Sequence, residues 1–250
     1  MEAFWIGCFM LIGLIAGSFF TLVGQRVPQS MSIITPRSHC DMCSIQLSWY
    51  ELLPIVSYAC QKGRCRHCGD TISSILPLTE IGTSLLFGLA IAIFGFQWDT
   101  AVALLLIALL HMVSVADVYY MKIPNNILLV SGGLLMVIHI LHPETSWSAS
   151  MIGAGVGFGV LFFIMLVSRG GMGVGDVKLF LVIGFVAGWK ETLLILFLAS
   201  LLGALFGIIF RLAGRLKRGE AIPFAPFISG ATILILFWGD TMMKWLVAGS

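Results

Sequence analysis

Residues 173–188 read GVGDVKLFLVIGFVAG, and whether this stretch crosses a membrane decides the topology of the whole chain. Crossing the hydrocarbon as a helix takes about 20 predominantly apolar residues, and this run is shorter. It also opens on glycines and carries Asp176 and Lys178 at its mouth. The rest of the sequence supplies the context. Of 250 residues, 59% are hydrophobic and only 10% charged, against about 25% charged in an ordinary soluble domain. The mean hydropathy is +1.03. Such a composition excludes a soluble globular protein and predicts an all-α polytopic membrane protein. Eight apolar runs stand out, at 4–24, 77–96, 100–117, 125–142, 151–168, 174–189, 191–210 and 223–246. Glu2 is the only charged residue before the first, so the basic opening expected of a cleavable signal peptide is not evident.

Charge decides whether the short run crosses. Cytoplasmic loops carry an excess of Lys and Arg. Between the first two runs lie Arg26, Arg37, Lys62, Arg64 and Arg66, and between the third and fourth lies Lys122. Arg169 and Lys178 fall between the fifth run and the body of the sixth. Arg211, Arg215, Lys217 and Arg218 fall between the last two. Twelve of the fourteen basic residues therefore share one side if all eight runs cross, leaving Lys190 and Lys244 on the other. Were the sixth run not to cross, the last cluster would face outward and the bias would collapse. Eight crossings with both termini outside the cytoplasm are expected.

The long loop after the first run contains SHCDMCS (38–44) and KGRCRHCGD (62–70). Cys40 and Cys43 form one C-x2-C pair, Cys65 and Cys68 a second, with 21 residues between. Pairs so spaced make two turns whose four thiolates converge on one tetrahedral metal, usually zinc. Gly69 suits the tight turn after the second pair. Free or redox thiols are the alternative; a reducing compartment argues against disulfides. A loop this small has little core, and a metal would supply the missing folding energy. His39 and His67 flank the ligand cysteines. Cys8 and Cys60 stand outside the pattern and read as packed apolar residues, and His111, His139 and His142 as packed, hydrogen-bonded histidines.

Acids within a bilayer are costly and usually mark function. Glu2, Asp99, Glu144, Glu191 and Asp240 fall at outer ends, Asp41, Glu51 and Asp70 in the insert, and Glu220 in a basic loop. Glu80, Asp117 and Asp176 remain, in or against apolar runs. Asp117 ends an outside-to-inside run and Asp176 begins an inside-to-outside one, so both belong at the cytoplasmic boundary. If their helices pack together, the carboxyls can face each other. Two carboxyls about 3 Å apart cannot both ionise and share a proton. One can then act as general base on water while the other hydrogen-bonds a carbonyl. The glycines 170, 171, 173 and 175 leave room for a substrate backbone. The competing reading makes each aspartate a helix cap, which suits Asp176 at a helix start and not Asp117 at a helix end.

At these residues the chain resembles a known family. GMGVGDVKL (171–179) resembles the G-x-G-D signature of intramembrane aspartyl proteases in the form seen in type IV prepilin peptidases. DVYYMKIPNN (117–126) is similar to that family's first aspartate motif, with Ile123 and Pro124 after the acid. GSFFTLVGQRVPQ (17–29), the double C-x2-C insert and AIPFAPFISGA (221–231) resemble further family stretches in the same order. Asn125 departs from the pattern, since family members often carry an acid there.

The resemblance implies a membrane peptidase that removes the leader of type IV prepilins or pseudopilins on the cytoplasmic side. The cut falls after glycine, before a hydrophobic N-terminal segment. Many members then methylate the new N-terminus with S-adenosylmethionine. On this chain it implies a catalytic pair of Asp117 and Asp176, a substrate loop at Gly173 and Gly175, and structural zinc at Cys40, Cys43, Cys65 and Cys68. No motif is assigned to the methyl donor; GAGVGFG (153–159) reads as small-residue helix packing. The expected parts are a first membrane helix at 1–24, a cytoplasmic insert at 25–76 and a seven-helix core at 77–250. The expected partners are prepilins and the lipid bilayer of the cell membrane, with no nucleic acid. The short tails resemble the Gram-positive branch serving competence pseudopili. Two other classes compete: a transporter with a zinc-stabilised regulatory insert, and a non-catalytic pilin assembly factor. A proton relay usually needs acids near the midplane, whereas these two share one face.

Overall fold

The computed structural model describes residues 1–40, 42–143, 145–168, 172–215 and 221–248. Asp41, Glu144, Arg169, Gly170, Gly171, Lys217, Arg218 and Glu220 lie outside the described residues. The described chain is helical, with no β-strand and only isolated bridges. The elements are α1 (Glu2–Arg26), α2 (Val56–Cys60), α3 (Ile75–Phe94), α4 (Trp98–Tyr120), α5 (Asn125–Leu141), α6 (Trp147–Val167), α7 (Val174–Ala187), α8 (Trp189–Leu212) and α9 (Ala225–Ala248). Setting aside the short α2, a helix stands at each apolar run of the sequence. Six are long and apolar enough to cross a membrane: α1, α3, α4, α6, α8 and α9. α5 has 17 residues and α7 has 14. At about 1.5 Å per residue α7 rises only about 21 Å, against a hydrocarbon core of about 30 Å. Eight full-length spans are therefore not what the helix lengths give. Large apolar side chains stay exposed along the long helices, among them Leu11, Ile15, Phe163, Phe197 and Ile208, as lipid-facing positions do.

The chain forms two compact units, Met1–Thr100 and the residues from Ala101 onward. In the first, α1 and α3 pair as a hairpin. Glycines allow the close approach: a Cβ on Gly13 would come 2.8 Å from Thr83 O, and one on Gly17 3.1 Å from the Glu80 Cα. Hydroxyls then bridge the helices, Ser84 Oγ donating to Met10 O at 2.8 Å and Thr21 Oγ1 meeting Thr79 Oγ1 at 3.1 Å. Small residues with short hydroxyl bridges are the usual means of helix association in lipid, where burial of apolar surface gives little drive. α3 thus has its partner in α1, although the division expected from the sequence places it with the later helices.

In the second unit α7 is the centre, packed by α5, α6, α8 and α9. Leu179, Phe180 and Ile183 on it are fully buried. Protein on several sides spares this short helix the need to match the bilayer by its own length. α6 lies against it through Gly153 and Gly157; a Cβ on Gly157 would come 2.6 Å from Phe180 O, and Gly153 abuts Gly184 backbone to backbone. The glycine run of α6 therefore serves helix packing. α7 ends at Gly188, whose φ of +85° turns the chain into α8. His139 is buried, its Nε2 3.4 Å from Ser150 Oγ and its ring edge-on to Trp147 and Phe185.

Candidate active site and metal centre

Asp117 lies in the last turn of α4 and is 7% exposed. Its Oδ2 accepts the Ala225 N–H at 2.9 Å, and the Phe224 N–H also reaches the carboxylate. These amides belong to the start of α9. A carboxylate at the C-terminal end of its own helix is thus held by the N-terminal end of another, where the dipole and unpaired N–H groups favour an anion. Ser114 Oγ and Ser229 Oγ, 2.7 Å apart, tie the same two helices one turn further in.

Asp176 lies in the first turn of α7 and is 8% exposed. Gly173 caps that helix, and a backbone hydrogen bond from it reaches the carboxylate. Oδ1 of Asp176 is shielded and has no hydrogen-bond partner among the described residues. The charge of Asp117 acts on Asp176, so the two carboxylates lie within electrostatic reach. The structure brings both to one end of the second unit. The loop between α4 and α5 closes on the same place. A Cβ on Gly175 would come 2.7 Å from Ile123 Cβ, and Lys178 Nζ donates to Asn125 Oδ1 at 3.0 Å. The room at Gly175 is therefore taken by Ile123, within the chain. Gly173 faces Asp176 instead, and a Cβ added there would come 3.3 Å from Oδ2.

Sequence reasoning missed the Phe224 and Ala225 amides. The signal was present in AIPFAPF (221–227): Pro226 sits inside the first turn of α9, where proline is well tolerated because its missing N–H is an orphan anyway.

In the insert each cysteine pair forms a knuckle closed by a bridge, His39 with Gln46 and Arg64 with Thr71. Ser44 N donates to Cys40 O at 2.8 Å, and Gly69 N to Cys65 O at 2.9 Å. Gly69 has φ +76°, as a tight turn asks. The four Sγ atoms of Cys40, Cys43, Cys65 and Cys68 lie within 4.8 Å of one another, Cys40 to Cys68 being 3.8 Å. Four sulfurs about 2.3 Å from a tetrahedral zinc stand about 3.8 Å apart, so the donor set fits that ion. The amides of Cys68 and His67 hold the Cys65 thiol down to about 7. At Cys68 the Asp70 amide favours the thiolate, but desolvation and the neighbouring sulfurs outweigh it and push the thiol up to about 12. Four thiolates this close need a cation. Both histidines face away from the ligand role: His39 Nδ1 is 3.2 Å from Arg37 O, and His67 Nε2 is 3.4 Å from Glu51 Oε1. Cys8 and Cys60 stand apart from the cluster, and Cys60 is exposed, not packed, because the single turn of α2 leaves it on the surface.

These features define a helical membrane protein with a four-cysteine module and two shielded acids at helix ends, within electrostatic reach of each other. Residues 11–94 match the Bacterial Peptidase A24 N-terminal domain, and residues 104–208 match the Type IV leader peptidase family. The chain is 41% identical over 237 residues to the prepilin leader peptidase/N-methyltransferase of Bacillus subtilis, covering 95% of this chain and 96% of the relative. It is 30% identical to the protein of the same name from Stutzerimonas stutzeri (93% and 90% covered) and 29% identical to that from Pseudomonas aeruginosa (95% and 91%). No solved structure matches it. The chain belongs to the type IV leader peptidase family.

Proposed function

We propose that this membrane protein is a prepilin leader peptidase and N-methyltransferase. It cuts type IV prepilins or pseudopilins after glycine and then methylates the new N-terminus. The observation that carries the reading is the pair of shielded acids, Asp117 and Asp176, each held by helix-start amides in a chain akin throughout its length to enzymes of that name. The acids share one proton. The ionised one takes a proton from water as the water oxygen attacks the scissile carbonyl. The protonated one hydrogen-bonds the carbonyl oxygen and then returns a proton to the leaving amine. Gly173 lines the approach of the substrate backbone.

All eight long and short apolar helices cross the cell membrane, α5 and α7 included, with both termini outside and the aspartates at the cytoplasmic face. The supporting observation is the one-sided distribution of Lys and Arg. A substrate whose apolar helix lies in the bilayer and whose leader hangs in the cytoplasm presents its scissile bond at that face. Cys40, Cys43, Cys65 and Cys68 would hold zinc, which supplies folding energy to the insert. S-adenosylmethionine supplies the methyl group.

The test is the mass of the N-terminal peptide of a co-expressed prepilin, which reads leader loss and added methyl together. Wild-type protein should give the cut, methylated peptide. Asp117→Asn and Asp176→Asn should each cut at least about 100-fold more slowly while remaining in the membrane. Cleavage at the wild-type rate by either variant removes that residue from the pair.

A further inference from the structure

One acid of the apolar runs has no part in this chemistry. Glu80 lies on α3 and is 7% exposed. Its Oε2 accepts the Ile55 N–H at 2.8 Å, and the Ser18 hydroxyl of α1 donates to the same carboxylate. It therefore joins three pieces: both helices of the hairpin and the backbone of the insert.

The segment it grips is unusual. Ile55 has φ +59° and ψ −48°, conformations that a β-branched side chain rarely adopts. The Val56 N–H donates to Pro54 O across it, which makes a γ-turn of the rarer, strained hand. Strain of this kind persists only where the surroundings over-determine it, and Glu80 is one such determinant. The turn also stands in a line of contacts running to the cysteines. Before it, the 3-10 turn Trp49–Leu52 carries Glu51, which caps its own start through the Ser48 N–H at 2.9 Å. Glu51 in turn lies 3.4 Å from His67, between Cys65 and Cys68. After the turn, α2 leads into the second knuckle.

We propose that Glu80 is a latch that fixes the Pro54–Val56 turn to the α1–α3 hairpin and so sets the stance of the cysteine insert, making it a positioning residue for methyl transfer. That methyl transfer depends on the stance of the insert is part of this proposal and rests on the methyltransferase activity proposed above. The latch itself does not.

The test uses the full-length, zinc-loaded protein in detergent and four forms: wild type, Glu80→Leu, Glu80→Asp and Glu80→Gln. Leucine removes the acceptor, aspartate keeps the charge but draws the oxygen back by one methylene, and glutamine keeps an oxygen at the same reach without charge. Hydrogen exchange of residues 53–60 should quicken about tenfold or more in the Leu and Asp forms, with zinc content unchanged. The Gln form should stay close to wild type. Methyl transfer from S-adenosylmethionine to a pre-cleaved pilin should fall about tenfold or more in kcat in the Leu and Asp forms, and the Gln form should restore it. Unchanged exchange in the Leu and Asp forms overturns the latch. Quickened exchange with wild-type methyl transfer overturns the positioning role. A Gln form as defective as the Leu form shows that charge and not reach matters, and overturns both. If Glu80→Leu does not fold, the Asp and Gln forms carry the comparison. A wild-type protein that never methylates sinks the methyltransferase reading, and the exchange result then decides the latch alone.

Discussion

The carboxylate of Asp117 and the amide of Ala225, 108 residues apart in sequence, meet at 2.9 Å. The contact makes the start of α9 part of the acid site. It also resolves an awkwardness: an anion at the end of α4 is disfavoured by that helix and compensated by the other.

This contact can be removed one hydrogen at a time. Ala225→Pro deletes the N–H, and proline at the first position of a helix leaves α9 able to start. A hydrogen bond to a charged group contributes about 1.5–3 kcal/mol. The variant should therefore fold and insert, yet cleave prepilin about tenfold more slowly or worse. Cleavage at the wild-type rate would mean that the α9 amides do not hold the working form of Asp117.

Gly175 offers a separate handle on the other acid, one residue away. Gly175→Ala places a methyl 2.7 Å from Ile123 Cβ, so the Ile-Pro loop or the first turn of α7 must shift. Cleavage should fall about 10- to 100-fold, since misplacement by about 1 Å can cost that much. Ile123→Ala vacates the space. The double variant should recover much of the lost rate, and the coupling of the two changes is read from a double-mutant cycle. Additive losses would place the role of Gly175 elsewhere, for instance in contact with substrate.

Much of this was legible in the sequence because it depends on local pattern. Apolar runs give helices wherever they are long enough, and each stop falls near its expected place, Gly188 between α7 and α8 being one. The cysteine knuckles follow from spacing, helped in the second by Gly69 with its positive φ; the first turns at Ser44 instead. What escaped depends on approach between distant segments. No local signal pairs Ala225 with Asp117, turns Gly175 toward Ile123, or joins Glu80 to a backbone amide 25 residues earlier. The shortness of α7 was legible in its run; what escaped is that α5, α6, α8 and α9 pack around it and relieve it of matching the bilayer alone.

The metal centre is testable without any substrate. Protein purified without chelator should carry about one zinc per chain, measured by elemental analysis. Replacing Cys40, Cys43, Cys65 and Cys68 by serine should release it and quicken hydrogen exchange across the insert, because the metal supplies the folding energy of so small a module. Cys8→Ala and Cys60→Ala should leave the metal in place. Acidification should strip it, since only thiolates bind and falling pH protonates them. A metal-free preparation that remains folded and active would end the structural-zinc assignment.

The last prediction concerns the separability of the two reactions. The aspartates stand on helices of the second compact unit, whereas the cysteine insert belongs to the first. Methyl transfer needs an N-terminus that exists only after cleavage. Given intact prepilin, Asp117→Asn and Asp176→Asn should therefore yield neither product, the second reaction lacking its substrate. Given a pre-cleaved pilin, the same variants should methylate it within a few-fold of wild type, because an asparagine keeps the shape of the site and the methyl step needs no shared proton. Insert damage should show the converse pattern, with methylation falling further than cleavage. The measurement is radiolabel transfer from S-adenosylmethionine onto pre-cleaved pilin in detergent, beside leader cleavage by the same preparations. Complete loss of transfer in a folded Asp176→Asn protein would show that one site performs both steps, and two sites would then be the wrong description.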